Sequence, residues 1–231
     1  MKKPFNIIRY KLHKIYYKLF PKKQSFSLNK LDLKLRPYLS KIKKGFFVEA
    51  GANNGLNQSN TLYYEKNLEW NGLLIEAIPD LAKKCKTNRP KALVENVALV
   101  SNNFKEKEIA MRYCNLMTVV KGGMKTKKEE DEHIEKGKQF IGKEKSYEIN
   151  VLVSTLSNLL EKNSITKIDF ISLDVEGYEL EVLKGLNFKK WRPSYILIEV
   201  RYEDEINSFM DYIGYKKIDK LSHHDFLYEP K

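Results

Sequence analysis

Cysteine is scarce in this 231-residue chain, which holds only Cys85 and Cys114. The two lie far apart and form neither a C-x-x-C pair nor a metal-ligand spacing. That excludes a disulfide scaffold and a zinc ribbon, and both read as structural thiols in a reducing compartment. Long apolar runs are absent too. No window offers the ~18 uncharged apolar residues that a spanning helix requires. Arg9, Lys11 and Lys14 interrupt each early apolar run before a secretory core could form. The expected location is the cytoplasm. Acid is nearly missing from the first 44 residues, where Asp32 alone stands against 14 Lys/Arg. The remaining residues carry 28 basic and 29 acidic side chains, so the net charge of +12 belongs to the leading segment. A near-neutral remainder excludes a broad nucleic-acid face there, and no nucleic-acid partner is expected.

What is present divides into a basic arm and linker over 1–44 and one α/β domain over 45–231, long enough for a full core. In the arm, Ile8, Leu12, Ile15 and Leu19 recur at helical spacing, with Lys11, Lys14 and Lys18 off that stripe. Phe5, Tyr16, Tyr17 and Phe20 add aromatic bulk, and Pro21 closes the segment. Two readings stay open. Residues 1–22 lie on an anionic membrane surface, at the inner face of the membrane. Otherwise the helix packs on the domain or on the second subunit of a homodimer. Residues 25–44 read as a linker with a short helix through Leu28, Leu31, Leu35, Leu39 and Ile42 that leads into the central strand.

The domain is organised around Phe46-Phe47-Val48-Glu49-Ala50-Gly51-Ala52-Asn53-Asn54-Gly55. Branched and aromatic residues predict a buried strand, and Gly51 and Gly55 predict a tight loop that a ligand can approach. A helix is expected from Ser59 or Asn60, its free N–H groups facing the loop. The dinucleotide fingerprint G-x-G-x-x-G is missing, because the spacing here is Gly51-x-x-x-Gly55. Glu49 would repel a pyrophosphate and suit a cationic amine. S-adenosylmethionine, with an α-amine, a carboxylate and a sulfonium but no phosphate, meets that description.

Further apolar runs end in polar groups. Leu73 to Glu76 reads as a second strand, its acid about 20 residues past the loop where a ribose-binding carboxylate belongs. A third strand spans Ala92 to Ala98 and ends near Asn96. A fourth spans Ile168 to Asp174, and a fifth, Tyr195 to Val200, contains Glu199. Helices are expected from Pro79 to a stop before Arg89-Pro90, after a Thr155 cap, from Gly177 to Leu186 and from Glu203 to Ile213. A hairpin from Gly214 through His223-His224-Asp225 closes the chain.

Glu49 to Gly55, Gln58-Ser59-Asn60-Thr61, Trp70 to Glu76, Asn96-Val97-Ala98 and Asp174-Val175-Glu176-Gly177-Tyr178-Glu179 together resemble the FkbM family of methyltransferases. The resemblance covers about residues 45–228 and weakens over 101–150. It implies a Rossmann-like class I methyltransferase fold: a mostly parallel seven-stranded sheet, helices on both faces, the last strand antiparallel. It also implies O-methylation, commonly of sugars. The residues expected at the methyl donor are Glu49, Gly51, Asn53, Gly55, Asn60, Glu76, Ala77, Asn96, Val97 and Asp174.

Residues 101–150 are the least regular. Strand-like pieces at 108–113 and 117–120 precede Gly122-Gly123, a candidate hinge, and a charge run over 125–144 that reads as a solvated helix. Its place after the third strand suggests an acceptor-binding insertion.

Moving a methyl group to a hydroxyl needs the acceptor placed about 3 Å from the carbon and a base in reach. Asp174 is expected on the donor side and Glu176 on the acceptor side, either one serving as base. Glu199 completes the catalytic candidates, because a carboxylate on a buried strand needs a partner. That partner is a salt bridge to Arg201 or a lysine, or a divalent cation shared with Asp174. Glu179 reads as a helix N-terminal acid and His224-Asp225 as closing strand. The acceptor is a hydroxyl compound, a carbohydrate by resemblance and otherwise a small metabolite. No N-P-P-Y-like motif or Pro-Cys nucleophile marks a nucleic-acid methylase, and the loop spacing opposes NAD. A non-catalytic binding protein would not be expected to keep all these strand-end groups.

Overall fold

The computed structural model describes residues 24–139, 141 and 145–231. The amphipathic stripe of residues 8–19 lies outside the described residues. The main sheet contains β1 (Phe46–Ala50), β2 (Asn71–Ile75), β3 (Leu93–Glu95), β8 (Phe170–Leu173), β9 (Tyr195–Glu199), β10 (Tyr215–Lys220) and β11 (Asp225–Pro230). Its spatial order is β10-β11-β9-β8-β1-β2-β3. β1 pairs in parallel on both sides, with Val48 opposite Leu73 and Ile171. β11 runs antiparallel to β9 and to β10. The fold is therefore the α/β arrangement that the resemblance implies, down to the reversed last strand.

Central parallel strands are covered on both faces, which is why these runs are apolar without alternation. Successive side chains still point to opposite faces. Val48 joins Leu73, Ile171 and Ile196 in one core, while Phe47 joins Leu74, Phe170 and Leu197 in the other. The first core is closed by α6 (Leu156–Lys162) and α7 (Glu179–Lys184) through Leu160 and Leu183. Thr155 caps α6 by accepting from Asn158 N at 3.1 Å, as expected. The second core is closed by α3 (Leu62–Leu68) and by two short helices, α1 (Leu31–Lys34) and α2 (Arg36–Leu39). Leu35 and Leu39 are completely buried there. The stretch expected as a linker is thus part of the domain's core.

Two expectations for the middle of the chain need correction. The third strand divides: β3 stays in the main sheet, and β4 (Ala98–Leu99) enters a second sheet of order β4-β7-β5-β6. Asn96 makes the break by donating to the carbonyls of Glu76 at 2.9 Å and Ala77 at 2.8 Å. The irregular insertion is in fact this small sheet, built from β5 (Glu108–Tyr113), β6 (Val119–Val120) and an unexpected eight-residue β7 (Tyr147–Ser154). The charge run forms α5 (Lys127–Lys138), capped by Thr126. It is not simply solvated, because Glu130, His133 and Ile134 are buried. The remaining helices are α4 (Pro79–Asn88) and α8 (Glu203–Tyr212). Among the described residues no helix is long and apolar enough to cross a membrane.

Candidate functional site

A cavity of about 850 Å³ opens over the carboxyl ends of β1, β2, β8 and β9, with the small sheet and α5 as its far wall. That lies within the ~300–1,000 Å³ common for small-molecule sites. Six carboxylates line it: Glu49, Glu76, Asp174, Glu176, Glu179 and Glu199.

The glycine loop meets the end of β8. A Cβ on Gly51, whose φ is +80°, would lie 1.8 Å from the Asp174 carbonyl oxygen, so only glycine fits. Gly55 is also at positive φ, but it faces Arg89 Cγ behind the loop and does not line the cavity. Glu49 is not a free carboxylate waiting for an amine. It accepts from Ser59 Oγ at 2.9 Å, Asn60 N at 2.8 Å and Thr61 Oγ1 at 2.6 Å. The fully buried Arg89 lies 3.6 Å from it and 2.7 Å from Glu65. Glu49 therefore shapes the 59–61 turn, and the helix expected at Ser59 begins only at Leu62. Asn60, held by that turn, donates from Nδ2 to Ser172 Oγ at 3.0 Å. Its Oδ1 is buried with no partner, an acceptor in the cavity wall that lacks a donor.

Glu76 follows β2 and accepts from Asn53 N at 2.7 Å and Ile78 N at 2.9 Å. Burial pushes its carboxyl up to about 7, against the pull of those N–H groups. Asn53, Ala77 and Val97 line the cavity beside it. Asn96 stands outside, spent on the two carbonyls that break the third strand.

A cluster of half-buried carboxylates stands at the ends of β8 and β9. Asp174, Glu176 and Glu199 each place a carboxylate oxygen within 4.8 Å of the others. Burial and then Glu199 hold the Asp174 carboxyl well above its usual range. Burial, then Glu199, pushes Glu176 up to about 8, although Arg201 pulls it down. Glu179, read from the sequence as a helix N-terminal acid, opens α7 and accepts from Val175 N and Gly177 N of the preceding loop at 3.1 and 2.9 Å.

Arg201 does not pair with Glu199 as the sequence suggested. It donates to Glu176 Oε2 at 3.2 Å and to His133 Nδ1 at 3.1 Å. His133 Nε2 in turn lies 3.2 Å from the Met117 carbonyl and 3.4 Å from Glu176 Oε2. Sequence reasoning missed His133, a lone histidine inside a charge run, and the buried role of Arg89. His224, expected as closing strand, lines the cavity and stacks on His223 at 4.5 Å.

The description "Methyltransferase FkbM domain" matches residues 49–223 of this chain. No curated protein matches it. A TehB-like SAM-dependent methyltransferase from Corynebacterium glutamicum is similar in fold at 10% identity and a TM-score of 0.45, covering 96% of this chain and 97% of that one. A putative RNA methyltransferase from Pyrococcus horikoshii gives 11% and 0.41 over 87% and 82%. An O-methyltransferase family 2 protein from Planctomyces limnophilus, solved with apigenin, gives 9% and 0.40 over 99% and 62%.

Proposed function

The chain belongs to the FkbM family of methyltransferases, and from that premise we propose that it methylates a hydroxyl, that of a sugar in a glycan, glycolipid or nucleotide-sugar. The observation that carries oxygen as the acceptor atom is the Asp174–Glu176–Glu199 cluster, in which burial and the neighbouring Glu199 make the Asp174 and Glu176 carboxyls take a proton more readily than isolated ones. A hydroxyl needs such a base within hydrogen-bond reach.

The residues fit S-adenosylmethionine. The orphaned Asn60 Oδ1 suits a donor such as its α-ammonium group, and Gly51, packed on the Asp174 carbonyl, brings the loop and the end of β8 together in the cavity wall. Glu76 offers carboxylate lone pairs to the ribose hydroxyls, and Ala77 and Val97 an apolar seat for adenine. When bound, the cofactor supplies a methyl carbon activated by positive sulfur. The chain's own work is placement and proton removal. Glu176, on the side facing α5 and Arg201, takes the acceptor proton, and Asp174 holds the donor side. The sugar assignment leans on the family resemblance and on the density of carboxylate acceptors for vicinal hydroxyls. A small-metabolite hydroxyl would use the same groups.

The same three carboxylates are the arrangement among the described residues that a divalent cation would suit. Activity lost in EDTA and restored by Mg²⁺ or Mn²⁺ would favour that second reading over a shared proton. The test of the main reading is calorimetry with S-adenosylmethionine, S-adenosylhomocysteine and NAD, then labelled-methyl transfer to nucleotide-sugars and glycolipid fractions. Binding of NAD in place of the first two would overturn it. Binding without transfer to any hydroxyl would leave a non-catalytic binding protein.

A further inference from the structure

Glu176, the side chain assigned to the acceptor proton, stands on an unusual piece of backbone. Its φ is +56°, in the left-handed region that side-chain-bearing residues seldom occupy. Residues held this way cluster at functional sites, where the surrounding structure over-determines them. Gly177 follows at φ +101°, and a Cβ there would lie 3.2 Å from Arg201 Cδ and 3.3 Å from Arg201 Nε. The bare turn leaves room for the Arg201 stem to cross it.

The guanidinium that crosses is anchored from the far wall of the cavity. Arg201 Nη2 carries two hydrogens. Glu176 Oε2 takes one at 3.2 Å and His133 Nδ1 the other at 3.1 Å. His133 is 5% exposed, and its Nε2 lies 3.2 Å from the Met117 carbonyl. Both ring nitrogens are spent, and burial, then Arg201, lowers the basicity of the ring. His133 is therefore not the base itself. Its helix, α5, is fixed without help from Arg201, because the Tyr202 hydroxyl accepts from Lys125 N at 3.1 Å and donates to Glu129 at 3.0 Å. Arg201 and His133 both approach Oε2 of Glu176, at 3.2 and 3.4 Å. Among the described residues no hydrogen bond reaches Oε1.

We propose that His133 is a positioning residue for methyl transfer: it fixes the Arg201 guanidinium on Glu176 Oε2, so that Oε1 is the oxygen left to take the acceptor proton. The hydroxyl proton goes to Oε1 and the acceptor oxygen keeps the electron pair. The role of Glu176 as base rests on the methyl-transfer reading, while the anchoring of Arg201 does not. In this way the small-sheet region, through one imidazole, decides which carboxylate oxygen faces the acceptor.

The test uses the full chain with His133→Phe, which keeps the bulk of the ring but neither nitrogen, and His133→Gln, whose amide both accepts and donates. In protein carrying ¹⁵N-arginine, with Arg201→Lys for assignment, the Arg201 Nη signals should be resolved in the native chain and in His133→Gln. In His133→Phe they should be averaged by rotation. Labelled-methyl transfer to nucleotide-sugars and glycolipid fractions should fall about ten- to a hundredfold in turnover in His133→Phe. Calorimetry should find its S-adenosylmethionine affinity unchanged, and His133→Gln should recover most of the turnover. A role in packing alone would give the reverse order of the two variants. If His133→Phe does not fold, His133→Ala replaces it with the same expectations. Arg201 Nη signals still resolved without the imidazole, or equal losses of turnover in His133→Phe and His133→Gln, would overturn the proposal. Averaged Nη signals in His133→Phe together with no transfer by the native chain to any hydroxyl compound would overturn the methyl-transfer reading, and the base role with it, while leaving the anchor in place.

Discussion

Arg201 Nη2 lies 3.1 Å from His133 Nδ1, and a guanidinium can only donate. His133 must therefore accept at Nδ1 and carry its hydrogen on Nε2, directed at the Met117 carbonyl and Glu176. Burial, then Arg201, depresses the imidazole's basicity, so the ring stays neutral near pH 7. Arg201 in this way joins helix α5 of the small-sheet region to the carboxylate expected to act as base.

Arg201→Gln should free that histidine. The expected result is a mixed tautomer signal for His133 in ¹⁵N-correlated spectra, with Arg201→Lys restoring part of the native one. Turnover should fall about ten- to a hundredfold, as for the loss of an oriented group, while S-adenosylmethionine affinity holds. An unchanged imidazole signal would show that Arg201 does not fix the ring.

Much of this site was legible in the sequence, for a physical reason. A strand-end acid beside a glycine loop is a local pattern, so Glu49, Gly51, Glu76 and Asp174 could be found by spacing alone. What each carboxylate touches is not local. Glu49 is committed to residues 59–61 and Arg89, and nothing in its own strand shows that. Arg89 looked like a helix stop because only the folded chain surrounds it with Glu49 and Glu65. His133 was hidden for the same reason, and β7 because its Ile149-x-Val151-x-Val153 alternation directly follows a run of charges. The leucines of α1 and α2 had helical spacing, but spacing does not say which surface a stripe will meet.

Stability should fall as pH rises from about 4.5 towards 8. Glu76 and Glu179, pushed up to about 7, and Glu176, at about 8, keep their protons in the folded chain. The unfolded chain releases them near ~4.3. Over that window the native state holds more protons, so each rise in pH favours unfolding. Glu176→Gln should flatten part of this slope in thermal melts across that range. A melting temperature that climbed steadily from pH 5 to 8 would contradict the raised carboxyls. Activity runs the other way, since the base must lose its proton. Turnover should increase with pH towards about 8 and vanish in Glu176→Gln.

Glu76→Ala is expected to separate cofactor binding from chemistry. Removing this carboxylate leaves the Asn53 and Ile78 N–H groups without their acceptor and takes away the oxygens proposed to meet the ribose. The loss corresponds to about 1–3 kcal/mol for an unsatisfied buried group. Calorimetry should show S-adenosylmethionine binding weakened about ten- to a hundredfold, equivalent to ~1.4 kcal/mol per factor of ten. Equal affinity in the variant would move the ribose elsewhere in the cavity.

Arg89 gives the sharpest stability prediction. It is completely buried and donates to Glu65 Oε2, the Gly55 carbonyl, Ser59 Oγ and Thr61 Oγ1, with its guanidinium 5.2 Å from the Phe47 ring centre. Arg89→Ala removes the only cation recorded within ion-pair reach of Glu49 and Glu65 among the described residues. Breaking a buried pair from one side costs about 3–5 kcal/mol, because the remaining charge is left uncompensated. Urea unfolding should register that loss as a lower midpoint at unchanged slope. Arg89→Lys should recover little, since one ammonium cannot reproduce a fork that spans four acceptors. The double variant Arg89→Met with Glu49→Gln should be milder than Arg89→Ala, because it leaves one less buried charge unpaired. If the single and double variants unfold alike, the Glu49–Arg89 contact carries no charge coupling and the 59–61 turn stands on its neutral hydrogen bonds.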